Sequence, residues 1–148
     1  MAKPILCTLP CVLLLSLACG AEESGPAARA SAGCRPYEPA TAKRTFDGRV
    51  GSLIFRNDAP ERVRVEVYHP DGHGAVESSW TVPAGTVANL GGGFGNDWGI
   101  RAGTGCATTL GRAGHWSEGR FIVDWRENAL TPGAPPTTTP TALRPNEG

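Results

Sequence analysis

Three histidines are the side chains of this sequence best suited to bind a metal ion. His69 and His73 stand four residues apart in His69-Pro70-Asp71-Gly72-His73, and His115 lies elsewhere in the chain. Histidines at this spacing share one face of a helix, but a proline–glycine turn does not bring them together in that way. The pattern is that of solvated turn residues, so the sequence predicts no metal site and no cofactor.

The run Gly91-Gly92-Gly93-Phe94-Gly95 has the glycine content of a phosphate-binding loop. It lacks a lysine, a following helix and the G-x-G-x-x-G spacing, so a flexible loop between strands is the better interpretation. The sequence has no G-x-S-x-G elbow, and its serine, histidine and aspartate residues are scattered. We therefore predict no catalytic residues and no enzyme activity, with a small secreted enzyme or metal protein as the weakest alternative.

The N-terminus has the layout of an export signal. Lys3 precedes an apolar run, interrupted by Pro10, that closes on Ser16-Leu17-Ala18-Cys19-Gly20. A positive residue, a short apolar stretch and small residues before a cleavage point are typical of a secretory signal. The run is shorter than the roughly 20 apolar residues that a membrane span needs. We predict a signal peptide at 1–18 and an extracytoplasmic protein.

The cysteine at this cleavage point resembles the lipobox of bacterial lipoproteins, in which a diacylglyceryl group is attached to the thiol. The resemblance implies that Cys19 anchors the chain to a membrane, and Gly20 favours the outer membrane or cell surface. Ser16 and Ala18 equally suit an ordinary signal peptidase, so plain secretion is the alternative.

Of the five cysteines, Cys7 and Cys11 would leave with the signal and Cys19 would be lipidated. Cys34 and Cys106 remain, and an oxidising compartment would join them. The alternative, a metal site, lacks the close C-x-x-C spacing that zinc sites use. We predict a Cys34–Cys106 disulfide.

Composition divides the rest of the chain into a tether, a domain and a tail. Residues 19–44 lack apolar periodicity and suit a flexible, disordered tether, while 129–148 are rich in proline and threonine and are expected to be extended and unpacked. Nearly all aromatic residues lie between them, in a predicted domain over 45–128. With 14 basic and 14 acidic residues, the chain has no bulk charge to attract nucleic acid.

The predicted domain has a period of two rather than 3.6. Val63, Val65 and Val67 alternate with Arg62, Arg64, Glu66 and Tyr68, which predicts a strand with one buried and one solvated face. Ile54, Trp98 and Ile100 are predicted to face the same core. Several short strands with glycine and proline between them predict an all-β fold, a single small antiparallel β-sandwich.

A stretch over Ser52–Gly103 resembles the β-domain of the von Hippel–Lindau tumour-suppressor family, which has bacterial members. The shared elements, in order, are Ile54-Phe55-Arg56-Asn57, the valine strand, Asp71-Gly72, Pro83-Ala84-Gly85-Thr86 and Asn96-Asp97-Trp98-Gly99-Ile100-Arg101-Ala102-Gly103. The resemblance implies the sandwich fold, and it suggests that an extended peptide adds at a sheet edge or face.

The family's hydroxyproline pocket transfers poorly to this sequence. Trp98 matches the pocket tryptophan, but Asn96 stands in place of a histidine, Ser79 in place of a tyrosine and Val67 in place of a second tryptophan. The helical part that recruits the ligase machinery is absent. The resemblance therefore implies fold more than function.

Aromatic residues supply the candidate binding face. Tyr68 is expected on the solvated face of the valine strand beside Arg62, Arg64 and Glu66, and Phe94 in the glycine loop is hard to bury. The candidate binding residues are Tyr68, Arg62, Arg64, Glu66, Phe94 and Trp98. A plain solvated strand face is the competing interpretation.

We accordingly expect a non-catalytic binding module on a lipid anchor, recognising a protein segment or an envelope component. The alternative is a carbohydrate-binding module, which requires at least two of Trp80, Trp116 and Phe94 to lie coplanar and exposed on one face. The sequence does not indicate an oligomeric state.

Overall fold

The computed structural model describes Cys34, 46–126 and 129–146, and these residues form an all-β sandwich of two sheets. The strands are β1 (Val50–Asn57), β2 (Val63–Tyr68), β3 (Val76–Val82), β4 (Val87–Asn89), β5 (Phe94–Gly95), β6 (Gly99–Ala102), β7 (Thr108–Thr109), β8 (His115–Ser117), β9 (Arg120–Arg126), β10 (Ala129–Pro132) and β11 (Thr141–Ala142). One short helix, α1 (Leu110–Ala113), follows β7. The predicted signal peptide, Cys19 and the tether up to residue 33 lie outside the described residues, as do residues 35–45.

The smaller sheet has the strand order β3-β2-β6-β7, and every pairing in it is antiparallel. The larger sheet has the order β10-β9-β1-β4-β11, with β5 on β1 and β8 on β9. It is mixed, since β1 pairs with β9 and β4 with β11 in parallel. Parallel neighbours require a long connection, and most of the other strands lie between β1 and β9 in the chain. Strand patterning alone does not reveal such pairings.

The core between the sheets confirms the register predicted for β2. Val63, Val65 and Val67 are buried in the core, with Val65 completely inaccessible, while the side chain of Arg64 is exposed. Ile100 also lies in this core, and Trp98 is partly buried against it. A slip of one residue would have exchanged the two faces of the strand.

The strand β1 is buried on both faces, which the sequence interpretation did not anticipate for Ile54. Leu53 and Phe55 belong to the core between the sheets. Ile54 is only 2% exposed but alternates to the outer face, where it pairs in register with Ile122 of β9. The prediction that Ile54 shares the core with the valines of β2 is therefore wrong.

The cover over this outer face comes from the C-terminal segment. Strands β10 and β11 lie at opposite edges of the larger sheet. Their connection, residues 133–140, crosses from one edge to the other, and Pro136 to Pro140 face Ile54 across a cleft. At about 3.1 Å per residue, eight extended residues reach about 25 Å, enough for four strand spacings of about 4.8 Å. We call residues 133–140 the strap.

The expectation of an unpacked tail over 129–148 is therefore wrong for its described part. Gly133 donates its backbone N–H to the carbonyl of Ile122, and Arg56 donates from Nη2 to the carbonyl of Ala134. Leu143 packs on the core and donates its backbone N–H to the Asn89 carbonyl. Proline and threonine favour extended backbone, but extended backbone is also what a covering segment needs.

The predicted disulfide is present in the fold. Cys34 and Cys106 are bonded, with their Cα atoms 5.2 Å apart. The bridge ties the chain at Cys34, which precedes β1, to the loop between β6 and β7.

Candidate functional site

The predicted binding face of β2 lies on the outer side of the smaller sheet and is dominated by one ion network. Glu66 accepts hydrogen bonds from Arg64 Nε (3.0 Å) and from Tyr68 Oη (2.9 Å). Arg101, from the neighbouring strand β6, donates to the same carboxylate through Nε at 2.9 Å and Nη2 at 2.5 Å. The sequence interpretation missed Arg101, although Arg101 stands opposite Glu66 once β2 and β6 are paired.

This network changes the expected exposure of two residues. Tyr68 is 3% exposed and Glu66 is buried, so the prediction that both lie on a solvated face is wrong. Charge pairing makes this burial tolerable, because each polar atom that leaves water gains a partner. Arg62 and Arg64 remain exposed, as expected.

Burial and the Glu66 charge also alter the chemistry of Tyr68. The pKa of Tyr68 is raised to about 12. The largest cause is desolvation by burial, and the negative charge of Glu66 and the hydrogen bond to it add to the rise. The phenol is therefore a neutral hydrogen-bond donor at ordinary pH. Glu66 accepts hydrogen bonds from Arg64, Tyr68 and Arg101, which gives this carboxylate a structural role.

Phe94 and Trp98 belong to a second group, an aromatic chain that leads into the core. Phe94 is 7% exposed, and its ring meets Trp80 and Trp98 edge-on at centroid distances of 6.2 and 5.1 Å. The expectation that Phe94 is exposed is therefore wrong. Positive φ angles at Gly91 and Gly93 turn the loop so that β5 pairs with β1 and Phe94 points inward.

An exposed aromatic platform is not formed by the three candidate rings. Trp80 and Phe94 are buried. Trp116 is partly buried and packs edge-on against Phe121, with centroids 4.7 Å apart. The geometry that the carbohydrate-binding alternative required of these rings is absent.

The positions aligned with the hydroxyproline pocket do not line one site. Val67 points into the core, whereas Ser79 lies on the opposite face, in register with Glu66. Asn96 is buried and accepts the backbone N–H of Asp47 at 3.3 Å.

The three histidines do not converge. His69 accepts the Asp71 backbone N–H at 3.0 Å and packs edge-on against Trp98, and His115 lies in the distant strand β8. Among the described residues, no three His, Cys, Asp or Glu side chains come together to hold a metal ion.

In the part of the chain that the structure describes, no helix has the length and apolar character of a membrane span.

A concave surface lies elsewhere, between the strap and the outer face of the larger sheet. This strap cleft has a volume of about 520 Å³. Ser52, Ile54, Asn89 and Arg120 line the sheet side, and 136–140 form the opposite wall. The sequence does indicate that the outer face of this sheet is covered. Strands β1 and β9 contain Leu53-Ile54-Phe55 and Phe121-Ile122-Val123, and three consecutive apolar residues in a strand imply burial on both faces.

An acidic residue lies at the other end of the same sheet face. Asp124 is 4% exposed and faces Arg56 Nη1 at 3.6 Å and Arg126 Nη2 at 3.5 Å. Its Oδ1 atom has no hydrogen-bond partner. Burial, the largest effect, raises the pKa of Asp124 despite the nearby Arg56.

A second, smaller cavity of about 330 Å³ lies beside the disulfide and includes Cys106, Arg112, Trp125 and Leu130. It is separate from the strap cleft and shares no lining residue with it.

Comparisons with protein-family models, with curated proteins and with solved structures found no match.

Proposed function

We propose that this protein is a non-catalytic binding module of the cell envelope, exported by residues 1–18 and anchored through a lipid on Cys19. The observation that supports binding is the strap cleft, a concave site lined by hydrogen-bonding side chains on a rigid sheet. Arg64, Glu66, Tyr68 and Arg101 at the predicted β2 face are instead engaged with each other, which fits a structural role for that face. The resemblance of Ser52–Gly103 to the von Hippel–Lindau β-domain supports the sandwich as a binding scaffold. It does not indicate which residues of the cleft would bind a ligand.

An envelope component fits the proposal better than an extended protein segment, because the sheet edges are poorly open to strand addition. Asn146 donates its backbone N–H to the Ser79 carbonyl on β3, and Glu77 forms a bulge in the same strand. β7 and β11 are two residues each, and β10 ends at Pro132. Short, bulged or covered edges discourage pairing with another chain.

The anchor is tested by fractionation of cells that express the chain or its Cys19→Ala variant. A lipid anchor predicts that the native chain sediments with membranes and that the variant is released or stays unprocessed. Equal membrane association of both would contradict the anchor.

Binding is tested with the processed chain, residues 19–148, carrying Cys19→Ser so that it stays soluble. We expect it to cosediment with purified, lipid-depleted envelope polymer, and Arg120→Gln to weaken that retention. Arg112→Gln removes the same charge at the second cavity and serves as the matched control. Absence of retention for the native chain would refute the envelope role.

A further inference from the structure

We propose that the strap cleft binds a carboxylated sugar, with Arg120 receiving the carboxylate. This inference rests on the proposed function, since it specifies the ligand class of the same cleft. Arg120 is the one ionisable side chain there, it is exposed, and no carboxylate lines the cleft. The site therefore favours an anion, and a guanidinium binds a carboxylate through two parallel hydrogen bonds.

The remaining polar groups of the lining suit a ligand rich in oxygen. Ser52 and the threonines 137–139 contribute hydroxyls, which donate and accept hydrogen bonds. Asn89 Oδ1 already accepts the Gly91 backbone N–H at 3.0 Å, which leaves its amide hydrogens as donors. Sugar hydroxyls also donate and accept, so they match this lining better than a purely apolar group would.

The apolar surfaces of the cleft complete the match. They come mainly from the rings of Pro136 and Pro140, which are partly exposed in the wall opposite the sheet, because Ile54 on the sheet side is only 2% exposed. Such surfaces pack against the C–H face of a sugar ring. The volume of about 520 Å³ lies within the range of roughly 300–1,000 Å³ that small-ligand sites occupy.

The sheet also holds both sides of the cleft in place. Ser52 and Arg120 are direct neighbours in the parallel β1–β9 register, and Asn89 is the neighbour of Ile54 in the β1–β4 register. The strap is fixed at its ends by β10 and β11 and near its start by Arg56. Binding therefore requires little ordering of the sheet groups, which lowers its entropic cost.

The test is calorimetric titration of residues 19–148 carrying Cys19→Ser with digalacturonic acid, with its neutral methyl ester and with inorganic phosphate. We expect saturable binding of the acid, at least tenfold weaker binding of the ester, and no comparable competition by phosphate. A charge-assisted hydrogen-bond pair has the strength to give a tenfold effect or more. Equal binding of acid and ester would overturn the role of the carboxylate, and phosphate binding as tight as that of the acid would identify a simple anion site.

Variants locate the ligand. Arg120→Gln should weaken acid binding at least tenfold, Arg120→Lys should restore part of it, and Ser52→Ala should weaken it less. Arg112→Gln should leave the affinity unchanged. Loss of binding in Arg112→Gln with retention in Arg120→Gln would move the site to the second cavity and overturn the proposal. Thermal unfolding of each variant shows whether it has kept its fold, and Arg120→Lys retains the charge if Arg120→Gln does not fold.

The two proposals fail in different ways. Cosedimentation with envelope polymer without binding of the acid would keep the envelope role and refute the carboxylated sugar. Binding of the acid without cosedimentation would keep the ligand class and refute the envelope role.

Discussion

The hydroxyl of Tyr68 donates a hydrogen bond of 2.9 Å to Oε2 of Glu66, two residues earlier on the same strand. Residues two apart lie on one face of a strand, so this contact follows directly from the β geometry. The same oxygen receives the guanidinium of Arg101 from the adjacent strand. The pair gives the outer face of the smaller sheet an ordered polar layer in place of a solvated one.

A pH titration of the tyrosines should show one phenol that ionises at an unusually high pH. The chain has two tyrosines, and burial together with Glu66 raises the pKa of Tyr68 to about 12. Absorbance at the phenolate wavelength should therefore show a component near pH 12 that is absent from Tyr68→Phe. An unfolded tyrosine has a pKa near 10, so the unfolded chain loses this proton first and stability should fall as pH rises from about 10 to 12. Titration of both tyrosines near pH 10 in the folded protein would contradict the burial of Tyr68.

Removal of the disulfide should destabilise the fold. The Cys34–Cys106 bond joins positions 72 residues apart, for which loop-closure entropy gives about 4 kcal/mol. The double variant Cys34→Ser, Cys106→Ser should unfold at a lower denaturant concentration than the oxidised native chain. The native chain under reducing conditions is the matched control, and it should approach the double variant. An unchanged midpoint in both would show that the bond does not constrain the unfolded chain.

The close packing of the strap on the sheet should require a residue without a side chain at position 133. A Cβ atom there would overlap the carboxylate of Asp124, which is itself buried and flanked by two arginines. Gly133→Ala should lower the free energy of unfolding by about 1–3 kcal/mol. Gly92→Ala is the matched control, since its Cβ would meet only Ser52 Oγ at an ordinary 3.5 Å. Equal midpoints for the two variants would show that the strap is not held closely at Gly133.

The sequence predicted the sandwich and the β2 register because alternation reports directly which face of a strand is buried. It misplaced Ile54 and the strap because a proline–threonine composition does not distinguish an unpacked tail from an extended cover. It misjudged Tyr68 and Phe94 because their burial depends on partners distant in sequence, Arg101 opposite Glu66 and β1 opposite the glycine loop. The strap cleft could not be predicted, since it exists only after β10 and β11 have taken opposite edges.

Asp124→Asn should increase stability relative to the native chain at neutral pH, and this advantage should shrink as the solution is acidified. Burial raises the pKa of Asp124, with Asp58 adding to the rise and Arg56 and Arg126 opposing it. Because the folded chain binds this proton more readily than the unfolded chain, the native fold loses stability as pH rises from the unfolded pKa through the folded one. The cost of the charge is fully present above the folded pKa and absent below the unfolded value near 3.9.

The measurement is denaturant unfolding of both chains across this acidic range, read as the difference between their free energies of unfolding. Carboxylates that do not interact with Asp124 contribute equally to both chains and cancel in that difference. Glu61→Gln, which removes a carboxylate from an exposed position, is the control for the loss of one negative charge. A difference that grows on acidification would mean that the ion pairs with Arg56 and Arg126 outweigh burial, and Asp124 would then fasten the strap through its charge.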